Sequence, residues 1–153
     1  SDLVVVDCGN GAAGVIAPQL IEALGCSVIP LFCEVDGTFP NHHPDPGKPE
    51  NLVDLIARVK AENADLGLAF DGDADRCFVV DERGELVNPS TLTALIASQE
   101  LQRVPGAPVI HNLITSRAVS HSVQIVNRFD DELEHIADGS SFDTAPQCLG
   151  NFE

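Results

Sequence analysis

Residues 3–14, LVVVDCGNGAAG, decide the fold of this 153-residue chain. The segment from Leu3 to Asp7 contains three consecutive β-branched valines and is typical of a parallel strand that is buried on both faces. The glycine-rich segment after it leads into apolar residues at helical spacing, namely Val15, Leu20, Ile21 and Leu24. Gly25 stands where a left-handed cap would end that helix. The stretch therefore predicts the first β-α unit of an α/β domain.

The same alternation continues to about residue 101. Further strands are predicted at residues 27–32, 66–70 and 77–81, with a short edge hairpin at residues 85–87. One helix is predicted to begin at Asn51, and its apolar face consists of Leu52, Leu55, Ile56 and Val59. Another is predicted from Ser90 to about Leu101. Four prolines and two glycines make residues 36–49 a long loop. Two β-α-β crossovers predict a three-layer α/β/α domain with a mixed, mainly parallel sheet over residues 1–101.

A second, incomplete α/β domain is predicted beyond a linker at residues 102–106. Residues 107–153 would begin it, with a strand at 108–111 and a helix near Ser116. Acidic and small polar residues dominate from about residue 127. We expect this divergent tail to be poorly ordered. The chain also contains no Met, and we interpret it as a fragment of a longer protein.

Composition limits the partners of the chain. Eight basic and 24 acidic side chains give a net charge of −16, which argues against binding to nucleic acid or to an anionic membrane. The apolar runs are strand-sized and too short for a membrane helix. Five cysteines without a CxxC motif are typical of reduced thiols in a cytoplasmic protein and give no zinc-site pattern.

The strongest chemical signal is DGDADR at residues 71–76, where a predicted strand ends. Carboxylates at alternate positions of a short loop, Asp71, Asp73 and Asp75, can converge on one point, and their mutual repulsion favours a bound cation. Oxygen ligands without thiolate or imidazole select Mg²⁺, Ca²⁺ or Mn²⁺. Arg76 could add a planar donor fork for a phosphate group.

Two other interpretations of this loop remain open at this point. Glu82 stands twelfth from Asp71, as in a calcium-binding EF-hand loop, but Arg76 occupies the sixth place, where glycine is required, and strands flank the loop in place of helices. A solvated acidic turn at a strand end is the other alternative, and it would carry no ion.

The glycine-rich segment after the first predicted strand has a second interpretation, as a dinucleotide-binding loop. Gly9, Gly11 and Gly14 fulfil the dinucleotide-binding fingerprint, with Glu34 and Asp36 some 20 residues on. Tight packing between strand and helix would explain the same glycines. For His42 and His43 we favour a structural role in the loop over metal binding, and for Thr115 and Ser116 a helix N-cap over a nucleophile.

Three segments together resemble the α-D-phosphohexomutase family, which includes the phosphomannomutases and phosphoglucomutases. The segments are VVVDCGNGAAGVIAPQLIEALG at residues 4–25, DGTFPNHHPDPGKPENL at 36–52 and LGLAFDGDADRCFVVDERG at 66–84. The resemblance reaches about residue 123. It implies that residues 1–101 are the second of four domains around one cleft, and that residues 107 onward begin the third.

The resemblance also implies a reaction. Enzymes of this family, which are intramolecular phosphotransferases of the isomerase class, interconvert hexose 1-phosphates and 6-phosphates through an enzyme phosphoserine and a bisphosphate intermediate. Carried over, Asp71, Asp73 and Asp75 would hold Mg²⁺ and Arg76 would contact phosphate. The phosphoserine is expected in a first domain outside this segment, so no catalytic residue is assigned here and the segment alone should be inactive. The expected partners are a phosphosugar and the other domains of the same chain, in a cytoplasmic pathway to nucleotide sugars.

Two alternatives remain beside this interpretation. The first is a non-enzymatic α/β module that binds a divalent cation or a partner domain. The second, more distant, is an NAD-dependent enzyme built on Gly9, Gly11 and Gly14. The resemblance weakens the latter, because in that family these glycines would serve only to pack the first strand against its helix.

Overall fold

The computed structural model describes residues 1–110. By its internal contacts the chain divides into a unit Ser1–Pro89 and a second unit that begins at Ser90. The helix expected near Ser116 and the tail expected to be poorly ordered lie outside the described residues. The predicted domain limits therefore stay a prediction.

The first unit alternates strands and helices as the sequence indicates. Its strands are β1 (Leu3–Asp7), β2 (Ser27–Leu31), β3 (Leu66–Phe70) and β4 (Cys77–Asp81). Its α-helices are α1 (Ala17–Ala23) and α2 (Val53–Glu62), each preceded by a short 3₁₀ segment, Ala12–Val15 and Pro49–Leu52. All four predicted strands are confirmed to within one residue. Gly25 follows α1 with φ +97°, the left-handed conformation expected of a glycine cap.

The strands form one mixed sheet in the order β2-β1-β3-β4. β1 pairs in parallel with β2 and β3, whereas β4 runs antiparallel to β3 at the edge. The predicted hairpin is present as a bridge between Val80 and Leu86, extended by a hydrogen bond from the Val87 N–H to the Val79 carbonyl of 2.8 Å. Because β1 and β3 are parallel neighbours, their carboxyl ends meet at the same edge of the sheet.

Helices α1 and α2 cover opposite faces of this sheet. Successive side chains of β1 point to opposite faces, so Val4 and Val6 pack with Ala17 and Ile21 of α1. On the other side, Val5 packs in a buried cluster with residues of α2 and the neighbouring strands, including Leu55, Val59, Ala69 and Val80. The predicted three-layer α/β/α architecture is confirmed.

The apolar face of the first helix differs from the expected one. Of the four spaced apolar residues, only Ile21 is buried, and Val15 belongs to the 3₁₀ segment before α1. Val15, Ile16, Leu20 and Leu24 are instead between 55% and 76% exposed. Ile16, Leu20 and Leu24 are spaced by four residues and so line one stripe of the helix surface.

We predict that this stripe makes the isolated chain self-associate despite its charge of −16, because contiguous exposed apolar surface favours association. Light scattering should report a mass of at least a dimer. The double substitution Leu20→Gln and Leu24→Gln should shift the protein to a monomer without changing its circular dichroism. A monodisperse monomer from the unaltered chain would contradict the prediction.

The second unit is described only to residue 110. A helix α3 (Pro89–Arg103) starts one residue before the predicted Ser90 and ends two residues after Leu101, and its proline occupies a first-turn position where no N–H is needed. The strand predicted at residues 108–111 is wrong over 108–110, which have no regular secondary structure, because no strand of the described residues pairs with them. His111 lies outside those residues. Up to Ile110, no helix has the length and apolar character needed to cross a membrane.

A candidate metal site at the carboxyl edge of the sheet

Three loops meet where the parallel strands end. We call residues 8–16 after β1 the glycine loop, residues 32–48 after β2 the proline loop, and residues 71–76 after β3 the aspartate loop. The Ala12 N–H donates a 3.0 Å hydrogen bond to the carbonyl oxygen of Gly72. Pro44 and Phe39 of the proline loop lie against the same glycine. The aspartate loop is thus held from two sides by backbone and ring contacts.

The aspartate loop brings its three carboxylates together as predicted. Asp71, Asp73 and Asp75 each offer an oxygen atom, and these three oxygens lie within 4.8 Å of one another. Ala74 has φ +63° and its N–H donates to the Asp71 carbonyl, so the backbone curls between the aspartates. Asp71 is 2% exposed, whereas the other two reach into solvent. One anchored and two exposed carboxylates suit a hard, partly hydrated divalent cation.

The pKa values show how closely the three charges interact. Burial would raise the pKa of Asp71, but hydrogen bonds from the Arg76 backbone and guanidinium, with a smaller one involving Asp75, outweigh it and bring the pKa to about 2. The pKa of Asp75 is raised by its hydrogen bond with Asp71 and then by the charges of Asp73 and Asp71. The negative charges of the ion-free loop therefore repel one another, and a bound cation would relieve that repulsion.

Arg76 lies directly beside the triplet. Its Nε donates a 2.7 Å hydrogen bond to Asp71 Oδ2, and its backbone N–H donates to Asp71 Oδ1 at 3.1 Å. One terminal nitrogen is 3.4 Å from Asp45 Oδ1 in the proline loop. The side chain is nevertheless 54% exposed. A fork that is anchored at one edge and open at the other is suited to an incoming anion.

Sequence reasoning did not find the residue pair that fastens the proline loop. Asp7, at the end of β1, is 1% exposed and accepts a hydrogen bond from the Gly9 N–H. His42 Nε2 lies 3.0 Å from Asp7 Oδ2, and its Nδ1 faces the His43 carbonyl at 3.0 Å. Both ring nitrogens therefore face oxygen atoms, so the imidazole is held from two sides. His42 is structural, as predicted. The sequence does contain one indication of the pair: Asp7 ends a buried strand, and a buried carboxylate needs a hydrogen-bond donor.

The contacts of the glycine loop explain its fingerprint without a dinucleotide. A Cβ at Gly14 would collide with the carbonyl oxygen of Cys33, and one at Gly11 would lie 2.8 Å from the Gly72 carbonyl. Gly9 has φ +49° and lies against Pro44. Asp36 is engaged in its own loop, where it accepts hydrogen bonds from the Thr38 N–H and hydroxyl. These glycines therefore allow loop-to-loop packing.

The low pKa of Asp71 predicts a specific acid sensitivity of the ion-free protein. A carboxyl whose folded-state pKa lies below its ordinary value stabilises the fold above that value, and the contribution is lost as the pH falls from about 4 to about 2. In chelator, Asp71→Asn should cost about 1 to 2 kcal/mol at neutral pH, because the partner Arg76 is 54% exposed and solvent screens the interaction below the full linkage value. Urea titrations should show this difference vanishing near pH 2. A difference that stays constant with pH would contradict the assignment.

Comparison with known proteins agrees with the fold. Residues 2–84 match the family described as phosphoglucomutase/phosphomannomutase, alpha/beta/alpha domain II. The phosphomannomutase/phosphoglucomutase of Pseudomonas aeruginosa PAO1 is 70% identical over 114 residues, which are 74% of this chain and 25% of that protein. The phosphoglucomutase of Neisseria gonorrhoeae is 51% identical over 117 residues, 76% of this chain and 25% of that protein.

A solved structure gives the same result. The crystal structure of a phosphoglucomutase/phosphomannomutase family protein from Burkholderia thailandensis superposes with a TM-score of 0.78 at 46% identity, over 82% of this chain and 27% of that one. The chain spans about a quarter of the length of the curated relatives it matches. The resemblance inferred from the three segments is confirmed: the chain belongs to the phosphoglucomutase/phosphomannomutase family, and residues 2–84 match its α/β/α domain II.

Proposed function

We propose that this chain is part of a phosphohexomutase, an isomerase that interconverts the 1-phosphate and 6-phosphate of mannose, glucose or both. The convergence of Asp71, Asp73 and Asp75 at the carboxyl edge carries the proposal. Family membership supports it, as do the relatives named phosphomannomutase/phosphoglucomutase and phosphoglucomutase. The setting proposed is the cytoplasm, in the supply of nucleotide-sugar precursors.

The donor set fits Mg²⁺. The triplet offers three carboxylate oxygens close together, and such oxygen ligands are the ones a hard cation prefers. Asp71, Asp73 and Asp75 would hold the ion. When bound, it would neutralise charge on the transferring phosphoryl group.

The residues of this chain would position the phosphate groups and would not react with them covalently. Arg76 fixes Asp71 through two hydrogen bonds and leaves its exposed guanidinium edge for a phosphate oxygen of the sugar. The glycine and proline loops hold Gly72, so the carboxylates keep their orientation without reorganising. Such preorganised charge is a main source of rate enhancement in phosphoryl transfer. The phosphoserine would come from the first domain of the longer protein, and the bisphosphate would turn between the domains.

A chimera tests the proposal. Residues 1–110 of this chain would replace the corresponding segment of the Pseudomonas aeruginosa relative, and mannose 1-phosphate turnover would be measured with a bisphosphate activator. We expect the chimera to be active. Its Asp73→Asn variant should lose about 100-fold or more in kcat/KM, because the substitution removes one ligand of the metal ion. Asp2→Asn removes the same charge before β1, at the opposite edge of the sheet, and should leave turnover unchanged.

The isolated chain provides the complementary result. We expect no turnover from it, since no catalytic residue is assigned to it. Turnover would place the phosphoryl-carrying residue within this sequence and contradict its assignment to the first domain of the longer protein. A folded chimera that binds Mg²⁺ but is inactive would favour the alternative, a non-enzymatic cation-binding or partner-binding module.

A further inference from the structure

Two thiols lie together where the glycine loop and the proline loop begin, outside the metal site. Cys8 directly follows β1 and Cys33 lies two residues beyond the end of β2. Their Sγ atoms are 3.1 Å apart. Cys8 is fully buried, whereas Cys33 is partly exposed. A pair with one accessible and one buried sulfur is the arrangement in which an oxidised thiol can be resolved by its neighbour.

The local structure holds the two sulfurs in contact. β1 and β2 are paired up to Asp7 and Leu31. Beyond that pair, the Cys8 N–H donates to the Leu31 carbonyl at 3.1 Å and the Asn10 N–H donates to the Phe32 carbonyl at 2.8 Å. The backbone on both sides of the thiols is thus already fixed. A disulfide requires an Sγ–Sγ distance of about 2.05 Å, so the sulfurs need to approach by only about 1 Å.

The two thiols differ in acidity in the direction that the first step, attack on an oxidant, needs. The hydrogen bond with Cys8 lowers the pKa of Cys33. The same hydrogen bond and burial raise the pKa of Cys8. Cys33 is therefore the thiol that reaches the reactive thiolate form first, and it is also the one that a small oxidant can reach.

We propose that Cys8 and Cys33 are a reversible oxidation site, at which a peroxide converts the two thiols into an intramolecular disulfide. The Cys33 thiolate attacks one oxygen of the peroxide; an S–O bond forms, the O–O bond breaks, and the leaving hydroxide takes a proton to become water. Cys8 then attacks the Cys33 sulfur, the S–O bond breaks and a second water leaves with the Cys8 proton. One dithiol and one hydrogen peroxide give one disulfide and two waters, and a dithiol reductant reverses the change.

The position of the pair links it to the loops that support the aspartates. The Cys33 carbonyl fills the space beside Gly14, and the Cys8 carbonyl accepts a hydrogen bond from the Gly11 N–H. The same Gly11 lies against Gly72 of the aspartate loop. A disulfide would therefore join the glycine loop to the start of the proline loop by a covalent bond.

The test uses the full chain with its other thiols removed by Cys26→Ser, Cys77→Ser and Cys148→Ser. After brief exposure to hydrogen peroxide, we expect both remaining thiols to disappear together, with a mass loss of two hydrogen atoms. Digestion should yield the Cys8 and Cys33 peptides joined, and dithiothreitol should restore both thiols. Oxidation of Cys33 alone to sulfinic acid with Cys8 still free, or disulfides between chains, would overturn the proposal.

Two further variants in the same background separate the roles of the thiols. Cys8→Ser should stop the reaction at a sulfenic acid on Cys33 that dimedone traps. Cys33→Ser should leave Cys8 unmodified under the same exposure, because it is buried. Cys8→Ser puts a hydroxyl into a buried position and can unfold the chain. The Cys33→Ser variant, whose folding is checked by circular dichroism, therefore tests independently whether Cys33 is the thiol that reacts first. Equal oxidation of Cys8 in folded Cys33→Ser would contradict the assignment.

Discussion

Replacing Asp73 with Asn should abolish Mg²⁺ binding by this chain while leaving the ion-free protein at least as stable as the parent. Three carboxylates without a phosphoryl ligand hold a partly hydrated ion weakly, so the parent affinity should be millimolar, roughly −4 kcal/mol. Asp73 is exposed and takes part in no hydrogen bond within residues 1–110. Removing its charge costs a ligand but also relieves repulsion on Asp75.

Calorimetry with Mg²⁺ and with Mn²⁺ checks the affinity, and thermal melting in chelator checks the stability. Asp2→Asn is the matched control, with the same loss of charge at the far edge of the sheet, and should change neither quantity. Asp36 would be a poor control, because it accepts two hydrogen bonds from Thr38. Unchanged ion binding, or strong destabilisation of the metal-free variant, would make the triplet a structural hydrogen-bonding turn.

Replacing Gly14 with Ala should destabilise the fold by about 3 kcal/mol, at the upper end for an added methyl group in a packed site. The new Cβ would collide with the backbone carbonyl of Cys33, which cannot swing aside as a side chain could. The proline loop and the glycine loop would have to separate. Urea unfolding monitored by circular dichroism measures the change.

Gly37→Ala is the control for this prediction. Gly37 has open space around its Cα and no positive φ, so an added methyl group should shift stability by less than about 0.5 kcal/mol. Equal stability of Gly14→Ala and Gly37→Ala would show that the glycine loop is not packed as described. It would also reopen the dinucleotide interpretation of Gly9, Gly11 and Gly14.

The fold could be predicted largely because its signals are local. The run from Leu3 to Asp7 has to be buried on both faces, and residues 66–70 end in a polar loop that cannot continue a strand. Short crossovers then leave few topologies. The convergence of Asp71, Asp73 and Asp75 was predicted for the same reason, since alternate positions in a curled loop are fixed by the local backbone.

The remaining features depend on contacts between residues that are distant in the sequence. The bond between His42 and Asp7 joins positions 35 residues apart, and no local pattern states that a loop histidine will reach a strand end. The exposure of Leu20 and Leu24 depends on which face of α1 meets the sheet, and the apolar spacing alone does not state it. Residues 108–110 have suitable side chains for a strand but pair with no strand within residues 1–110, because pairing is decided by the tertiary structure.

The most direct test of the metal assignment is a crystal structure of the chain soaked in Mn²⁺, with anomalous scattering recorded to locate the ion. We predict one peak at the aspartate loop, bound to oxygens of Asp71, Asp73 and Asp75. The peak should be absent from Asp73→Asn crystals soaked in the same way. A peak elsewhere on the chain, or an aspartate loop that stays free of metal at saturating Mn²⁺, would contradict the assignment of this loop as the metal site.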